Sequence, residues 1–232
     1  MSQLVKTVND LAIASVKSVN GLAIASVKAL MGLDNTVAAG GFSDNFDDNS
    51  LHGDWVSYKS GTTVFTITEQ NQRLEIDTTN GLSEWCGAAV TRFGALDAST
   101  GVEVEFDYYH PTVDANQNAY FFFTVDPLSM VGASPDDYVR GRLRGIDLSC
   151  DARISGITSE LNDNNGILSA VEYHIKLKYT STTLTIWLDT VQKLSELHSY
   201  GATTVHFMAG FFTKGNSTTA VAYIDNLTIT EL

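Results

Sequence analysis

Apolar and polar residues alternate along most of the chain beyond residue 42, which is the pattern of half-buried strands. The alternation is clearest in six stretches, "TVFTITE" (63–69), "RLEIDTT" (73–79), "GVEVEFDYY" (101–109), "YHIKLKYT" (173–180), "TLTIWLD" (183–189) and "AVAYIDNLTIT" (220–230). Turn residues separate these stretches, and "DTVQKLSELHSYG" (189–201) has room for one short helix. Many alternating strands over about 190 residues predict an all-β, antiparallel sandwich. In the hairpin 173–189 the inward positions are Tyr173, Ile175, Leu177, Leu184, Ile186 and Leu188.

The first 33 residues follow another pattern, in which one eleven-residue unit occurs twice. "TVNDLAIASVK" (7–17) and "SVNGLAIASVK" (18–28) agree at nine of eleven positions, and "ALMGL" begins a third copy. An eleven-residue period suits a right-handed helical coiled coil, but Asn20-Gly21 would then lie inside a helix at a cost of about 1 kcal/mol. Strands are favoured, because Asn9-Asp10 and Asn20-Gly21 are preferred pairs for two-residue hairpin turns.

In the strand interpretation, the repeats form a ribbon with two nine-residue strands, Leu11–Val19 and Leu22–Leu30. Pairing across Asn20-Gly21 sets Val19 opposite Leu22 and Leu11 opposite Leu30. Such a ribbon has too little core to be stable alone, so other copies or a larger assembly must cover its apolar side chains. The alternative to an oligomerisation or docking element is a leader that is merely repetitive. A closed three-fold arrangement leaves no open sheet edge, which predicts a homotrimer. The side chains expected at this contact are Leu11, Ile13, Leu22, Ile24 and Leu30.

Units of the form "VNGLAIASVK", with Lys at the end of each copy, resemble the leaders of structural proteins of tailed phages, which precede globular domains exposed on the particle. The resemblance implies a virion protein, assembled in the host cytoplasm, that docks on a capsid or tail protein shell. "DNTVAAGGFSDNF" (34–46) breaks the repeat with small residues and indicates a flexible joint. The predicted organisation is a docking element over 1–33, a linker over 34–41 and a β-sandwich over 42–232.

Composition excludes several partners. The chain of 232 residues has a formal net charge of −13, which argues against nucleic acid, because backbone phosphates are bound by Lys and Arg. No apolar run reaches the roughly 18 residues of a membrane helix, so membrane insertion is not expected. Charged residues also interrupt each hydrophobic run near the N-terminus, so a signal peptide is not predicted. Reduced thiols are favoured for Cys86 and Cys150, and a single disulfide stays open.

Three stretches of the region from residue 42 onward indicate which kind of β-sandwich the chain forms. "FSDNFDDNSLHGDWVSY" opens it, "EYHIKLKYTSTTLTIWLD" is a hairpin, and "FMAGFFTKGNSTTAVAYIDNLTI" closes it. In order and spacing they resemble the concanavalin A-like jelly roll of lectins and laminin-G-type modules, and secondarily the jelly-roll carbohydrate-binding modules. The resemblance implies a jelly-roll β-sandwich. Hairpins of these families often end in Asp-Gly, whereas this one ends in Asp189-Thr190.

Carboxylates and aromatic rings are the candidates for chemistry. Glu103, Glu105 and Asp107 project from one face of a strand about 6.5–7 Å apart, a spacing within the range of glycosidase carboxylate pairs. "EFDYYH" (105–110) also resembles part of the E-x-D-x-x-E signature of jelly-roll glucanases, which implies Glu105 as nucleophile and Asp107 as its partner. His110 stands at the acid/base position, which leaves no proton donor. A solvated acidic face is the simpler interpretation; a sugar- or cation-contacting face is the alternative, with Trp85, Tyr109 and Trp187 as stacking rings.

An Asp- and Asn-rich stretch and a row of arginines lead to two further predictions. "SDNFDDNS" (43–50) is rich in the oxygen ligands that calcium prefers. The resemblance to carbohydrate-binding jelly rolls implies a structural calcium where the opening and closing strands meet, with Asp44 or Asp47 and Asp225 as ligands. Arg140, Arg142 and Arg144 alternate in "SPDDYVRGRLRG" and are expected to pair across strands with Glu103 and Glu105.

These observations predict a non-enzymatic structural or decoration protein of a virion, which anchors through its repeats and displays a lectin-like sandwich that binds a host-surface glycan. One alternative is a stand-alone carbohydrate-binding module, and a second is a jelly-roll glycoside hydrolase.

Overall fold

The computed structural model describes residues 7–8, 11–12, 18–19, 22–23, 41–51, 53, 55–60, 65–78, 86–92, 95–112, 116–127, 130–131, 134–135, 137–144, 147–163, 170–215 and 220–232. The chain divides into two compact units, Met1–Ala39 and Gly40–Leu232. The division lies within the predicted joint over 34–41.

The described residues of the first unit form two short hairpins. β1 (Thr7–Val8) pairs with β2 (Leu11–Ala12), and β3 (Ser18–Val19) pairs with β4 (Leu22–Ala23). Each pair brackets one of the predicted two-residue turns, and Val19 lies opposite Leu22 as predicted. Ile13, Ile24 and Leu30 lie outside the described residues, so the longer strands, the pairing of Leu11 with Leu30 and the trimer contact remain predictions.

The second unit is a sandwich of two antiparallel sheets, as the alternation predicts. Its strands are β5 (Phe42–Asp44), β6 (Trp55–Ser60), β7 (Thr66–Gln70), β8 (Arg73–Asp77), β9 (Cys86–Arg92), β10 (Leu96–Asp97), β11 (Val102–Tyr109), β12 (Gln117–Thr124), β13 (Met130–Val131), β14 (Ser134–Pro135), β15 (Tyr138–Arg144), β16 (Asp147–Ile154), β17 (Ile157–Asp163), β18 (Glu172–Tyr179), β19 (Thr183–Leu188), β20 (Val191–Leu197), β21 (Thr204–Thr213) and β22 (Val221–Glu231).

Sheet one has the order β17-β16-β15-β12-β21-β9-β6, with β10 also paired to β21. Sheet two has the order β20-β19-β18-β11-β22-β8-β7, with β5 also paired to β22. The two-layered antiparallel architecture is that of the concanavalin A-like jelly roll.

Aromatic side chains from both sheets meet in the core. The rings of Phe106 in β11 and Phe121 in β12 lie 4.8 Å apart, and Tyr179 in β18 stacks on Phe123 at 4.9 Å. Strands of sheet two contribute every second side chain to this core, as in β11, whose positions alternate between buried and half-buried. The inward apolar residues predicted for 173–189 are confirmed as buried from Ile175 to Leu188, and Tyr173 packs half-buried against the core.

Sheet one is covered on both faces. All eight residues of β12 are buried, and a second apolar cluster of Tyr120, Phe122, Tyr138, Met208 and Phe212 lies on the face turned away from the main core. The backbones of β9 and β21 approach closely at Gly87, where a Cβ atom would overlap the carbonyl oxygen of Phe211.

The prediction of a helix over 189–201 is wrong. Residues Val191–Leu197 form β20, the edge strand of sheet two, and of its residues only Leu194 is buried. The turn before it consists of Asp189 and Thr190, both with positive φ (49° and 71°), which is the conformation of a two-residue hairpin turn. The described part of the chain contains no helix long and apolar enough to cross a membrane.

Candidate functional site

The predicted carboxylates lie on the outer face of sheet two. Glu103, Glu105 and Asp107 are the half-buried positions of β11, because the alternate residues Val104, Phe106 and Tyr108 fill the core. β11 is flanked by β18 and β22, so both neighbours add side chains to the same outer face.

Cations of β18 lie directly opposite these carboxylates. The register sets Lys178 opposite Glu103, Lys176 opposite Glu105, and His174 opposite Asp107. In an antiparallel pair, directly opposed residues point to the same face and interact. The sequence gives a visible signal for these cations, since His174, Lys176 and Lys178 alternate with buried residues, but nothing in it specifies that β18 pairs with β11.

The opposed residues form a continuous row of contacts, which we call the charged ladder: Lys178, Glu103, Lys176, Glu105, His174, Asp107 and Asn226. The Lys176 ammonium lies 2.7 Å from Glu103 and 3.0 Å from Glu105. The His174 ring spans the next two carboxylates, with Nε2 3.4 Å from Glu105 and Nδ1 2.9 Å from Asp107.

The last member of the ladder is oriented by a bulge in β22. The pairing of β11 with β22 changes register between Glu105 and Asp107, and Asn226 adopts a positive φ of 51° there. Its side-chain amide donates a 2.9 Å hydrogen bond to Asp107. Bulges of this kind redirect side chains and are over-represented beside functional sites.

The contacts of the ladder shift the pKa values of Glu105, His174 and Lys176 toward their charged forms. A hydrogen bond from Lys176 lowers the pKa of Glu105, and the hydrogen bond to Asp107 raises the pKa of His174. The hydrogen bond to Glu103 raises the pKa of Lys176. The ionised form of Glu105 is therefore favoured, as are the protonated forms of His174 and Lys176 beside it.

Two aromatic groups flank the ladder. Trp187 in β19 lies opposite Lys176, whose ammonium is 5.7 Å from the centre of the indole ring. Tyr109 in β11 lies opposite Tyr223 in β22, with ring centres 5.7 Å apart. An open depression of about 460 Å³ is lined by Trp187, Thr190 and the ladder residues from Lys178 to His174. The structure thus brings five of the six predicted carbohydrate-binding residues onto one face, and Trp85 lies outside the described residues.

His110 does not belong to this face. It is buried, and its ring packs edge-on against Phe211 at 4.9 Å. Burial lowers the pKa of His110 to about 4, so the ring is neutral at physiological pH. The position that the glucanase signature gives to the acid/base therefore cannot donate a proton on the outer face.

The predicted pairing of the arginine row with Glu103 and Glu105 is wrong, because β15 belongs to sheet one. Arg140 is buried and lies 2.9 Å from Asp151, with Tyr120 under its guanidinium at 4.1 Å. Burial opposes the charged form of Arg140, but Asp151 together with Tyr120 and Tyr138 outweighs this effect and raises the pKa. Arg142 donates to the Ser149 hydroxyl.

The predicted calcium ligands lie near the junction of β5 and β22. Asp44 accepts hydrogen bonds from the Phe46 backbone (3.0 Å) and the Trp55 indole (2.9 Å). Asp225 has a raised pKa, mainly through burial and in smaller part through the charges of Asp107 and Asp47. Among the described residues, no group of three or more His, Cys, Asp or Glu side chains has the arrangement of a metal site. Calcium binding therefore stays a prediction.

Cys150 is a buried, free thiol whose pKa is raised by burial, which suits a structural role. The side chain of Cys86 lies outside the described residues.

Comparison with known proteins gives relatives by structure only. No family model and no curated protein matches the sequence. Among solved structures, a LamA variant from Z. galactanivorans in complex with laminaritriose and laminaritetraose matches with a TM-score of 0.63 and 13% identity, covering 84% of this chain and 99% of that one. Bacillus licheniformis β-glucanase matches with a TM-score of 0.61 and 15% identity, and the match covers 84% of this chain and 99% of the glucanase. The endo-β-1,3-glucanase of Pyrococcus furiosus matches with a TM-score of 0.60 and 9% identity, and the match covers 82% of this chain and 93% of that protein.

These matches establish the jelly-roll fold. They also contradict the prediction of a protein without enzymatic activity, because the solved proteins that share this sandwich are glycoside hydrolases.

Proposed function

We propose that this protein binds carbohydrate on the outer face of sheet two. One observation carries the proposal: the indole of Trp187 lies beside ionised, fixed carboxylates in an open depression. Sugars are bound in this way, because the apolar face of a pyranose packs on an aromatic ring while its hydroxyls donate to carboxylates. The fold supports the proposal, since the LamA variant with this architecture was solved with laminaritriose and laminaritetraose.

The sandwich is displayed by its repeats on a larger assembly. The eleven-residue units join three chains and dock them on the capsid or tail shell of a phage, and the ligand is a glycan of the host surface. The resemblance of the repeats to phage leaders supports this part, as does the need to cover their apolar side chains.

Binding is tested by calorimetric titration of the full chain with neutral β-glucan oligosaccharides. Trp187→Ala should weaken binding about tenfold, because one stacked ring contributes about 1 kcal/mol or more. Leu197→Ala is the matched control, since Leu197 is 79% exposed on the neighbouring strand and lines no part of the depression. Equal affinity of wild type and Trp187→Ala would reject Trp187 as the stacking ring.

Hydrolysis of the bound glycan is the second candidate function, and His174 is the observation that favours it. The sequence offered no proton donor beside Glu105, whereas the structure sets a histidine of raised pKa 3.4 Å from that carboxylate. In this scheme His174 donates its proton to the glycosidic oxygen as the bond to the leaving sugar breaks. The Glu105 carboxylate forms an ester with the anomeric carbon. Water then attacks that carbon and breaks the ester bond, while the neutral His174 accepts the proton of the water.

Release of reducing ends from β-1,3- and mixed-linkage glucans tests this second function. Glu105→Gln and His174→Asn should each abolish release, while Leu197→Ala leaves it unchanged. Release that survives Glu105→Gln would place any hydrolytic site elsewhere in the protein.

A further inference from the structure

A second aromatic platform lies on the same face as Trp187, beyond the Asp107 end of the charged ladder. It consists of Tyr109 and Tyr223, which face each other across β11 and β22, together with Arg73 and Glu172. The Arg73 guanidinium is 5.6 Å from the centre of the Tyr109 ring and 3.1 Å from Glu172. The ion pair borders the platform, and Tyr109 and Tyr223 are half-buried rather than part of the core.

The distance between the two platforms follows from strand geometry. Tyr109 lies four residues beyond Glu105 on β11, which is about 14 Å along the strand. Trp187 belongs to the row of Glu105 but lies two strands away, which is about 10 Å across the sheet. The diagonal from Trp187 is therefore about 17 Å to Tyr109 and about 20 Å to Tyr223, which lies one strand further across, a span that about four linked pyranose rings cover.

The residues between the platforms are suited to sugar hydroxyls. Glu105 lies in the row of Trp187, and His174, Asp107 and Asn226 lie between that row and the row of Tyr109. Their contacts with one another hold them in place. A preorganised row of acceptors and donors loses little conformational entropy when a ligand binds.

The charges of the face select against anionic sugars. The four cations of the charged ladder and of the Tyr109 platform each contact a carboxylate of the same face: Arg73 contacts Glu172, Lys176 and Lys178 contact Glu103, and His174 contacts Asp107. Glu75 and Asp225 add further negative charge beside Tyr223. A uronate or sulfate would meet repulsion from these carboxylates, and the four cations beside them are already paired.

We propose that Tyr109 and Tyr223 form a second subsite, so that the outer face of sheet two binds a linear, uncharged oligosaccharide of about four rings from Trp187 to Tyr223. This inference rests on the proposed function, because it extends the same binding face. It adds the length and charge class of the ligand and assigns the residues at its far end.

The test measures affinity against ligand length. The full chain is titrated with the laminari- and cello-oligosaccharide series, from disaccharide to hexasaccharide. Affinity should rise until the tetrasaccharide reaches the second platform and then level off. Tyr109→Ala with Tyr223→Ala should weaken tetrasaccharide binding about tenfold and leave disaccharide binding within about twofold. Tyr109→Phe with Tyr223→Phe keeps both rings and should retain wild-type affinity, and Leu197→Ala is again the neutral control.

The possible results distinguish a failure of the second subsite from a failure of the proposed carbohydrate binding. Affinity that is already maximal at the disaccharide would overturn the second subsite and leave the site at Trp187 intact. No binding by any member of either series would overturn the proposed function itself. An oligogalacturonate that binds more tightly than its uncharged counterpart would overturn the assigned charge class. Because the length series uses the wild-type chain, the test holds even where the alanine pair does not fold.

Discussion

Replacing His174 with Gln should remove a stabilising interaction whose size depends on pH. The imidazolium contacts Asp107 at 2.9 Å and Glu105 at 3.4 Å, but its side chain is 43% exposed. Solvent screens ion pairs of this kind, and each contributes about 0.2–1 kcal/mol to the free energy of unfolding. Together the two contacts should contribute about 1 kcal/mol when His174 is charged.

The direction of the pH effect follows from the pKa of His174, which is raised in the folded state by Asp107. A raised pKa means that the folded chain binds the proton more tightly than the unfolded chain. The stabilisation is therefore fully present below the unfolded pKa of about 6.5 and is lost as the pH rises through the folded pKa. Glu105, whose pKa is lowered, remains ionised throughout this window.

The assay is urea denaturation of wild type and His174→Gln between about pH 5.5 and 8.5, with the difference in unfolding free energy as readout. This difference should be largest at the acid end and should shrink toward the alkaline end. His198→Gln is the matched control, because burial lowers the pKa of His198. The difference in unfolding free energy between wild type and His198→Gln must therefore grow toward the alkaline end, which is the opposite direction. A difference for His174→Gln that stays constant, or that grows with rising pH, would refute the ion-pair interpretation.

Four further changes test other parts of the structure. Gly87→Ala should destabilise the sandwich by about 3 kcal/mol or more, because the new Cβ overlaps the Phe211 backbone, whereas Gly53→Ala meets no atom within 4 Å and should be nearly neutral in thermal melts. Thr190→Gly should raise the free energy of unfolding by about 1 kcal/mol, since a β-branched residue there is held at a φ of 71°. Ile13→Asp with Ile24→Asp should convert oligomers into soluble monomers, as measured by light scattering, because burial of each such side chain contributes about 1.5–3 kcal/mol to association. An oligomer that persists would show that the sandwich, rather than the repeat, makes the contact. Chelator should lower the melting temperature of the chain if the predicted calcium is bound, and an unchanged melt with EDTA and with added calcium would remove that prediction.

Local patterns predicted the strands of sheet two because these strands are buried on one face only. Val102 to Tyr109 alternates strictly, so its outward carboxylates could be assigned to one face before the structure was known. β12 offered no such information: its run "AYFFFT" is apolar on both faces, because sheet one is covered on both sides. The outer cluster around Tyr120 and the buried Arg140–Asp151 pair therefore had no signal in the pattern.

The helix error in 189–201 also has a physical cause. Val191, Leu194 and Leu197 recur every three residues, which imitates a helical face, but only Leu194 is buried and the other two are exposed on an edge strand. The turn at Asp189-Thr190 was the better signal, although it lacks the usual glycine.

The composition of the charged ladder depended on long-range pairing. Lys176 and Glu103 are 73 residues apart, and Asn226 and Asp107 are 119 apart, so their contacts follow from which strands become neighbours rather than from any local motif. The sequence predicted the acidic row correctly but assigned its partners to Arg140 and Arg142, which lie in the other sheet.

Chemical-shift mapping tests the central claim most directly, because it locates the ligand on one of two opposite faces. The ¹⁵N-labelled full chain would be titrated with laminaritetraose, and the shifted backbone amides and the Trp187 indole N–H would be assigned. We expect the shifts to concentrate on β11, β18, β19 and β22 around Glu105 and His174. Shifts concentrated instead on strands of sheet one, such as β12, β15 and β16, would contradict the assignment of the binding face to sheet two.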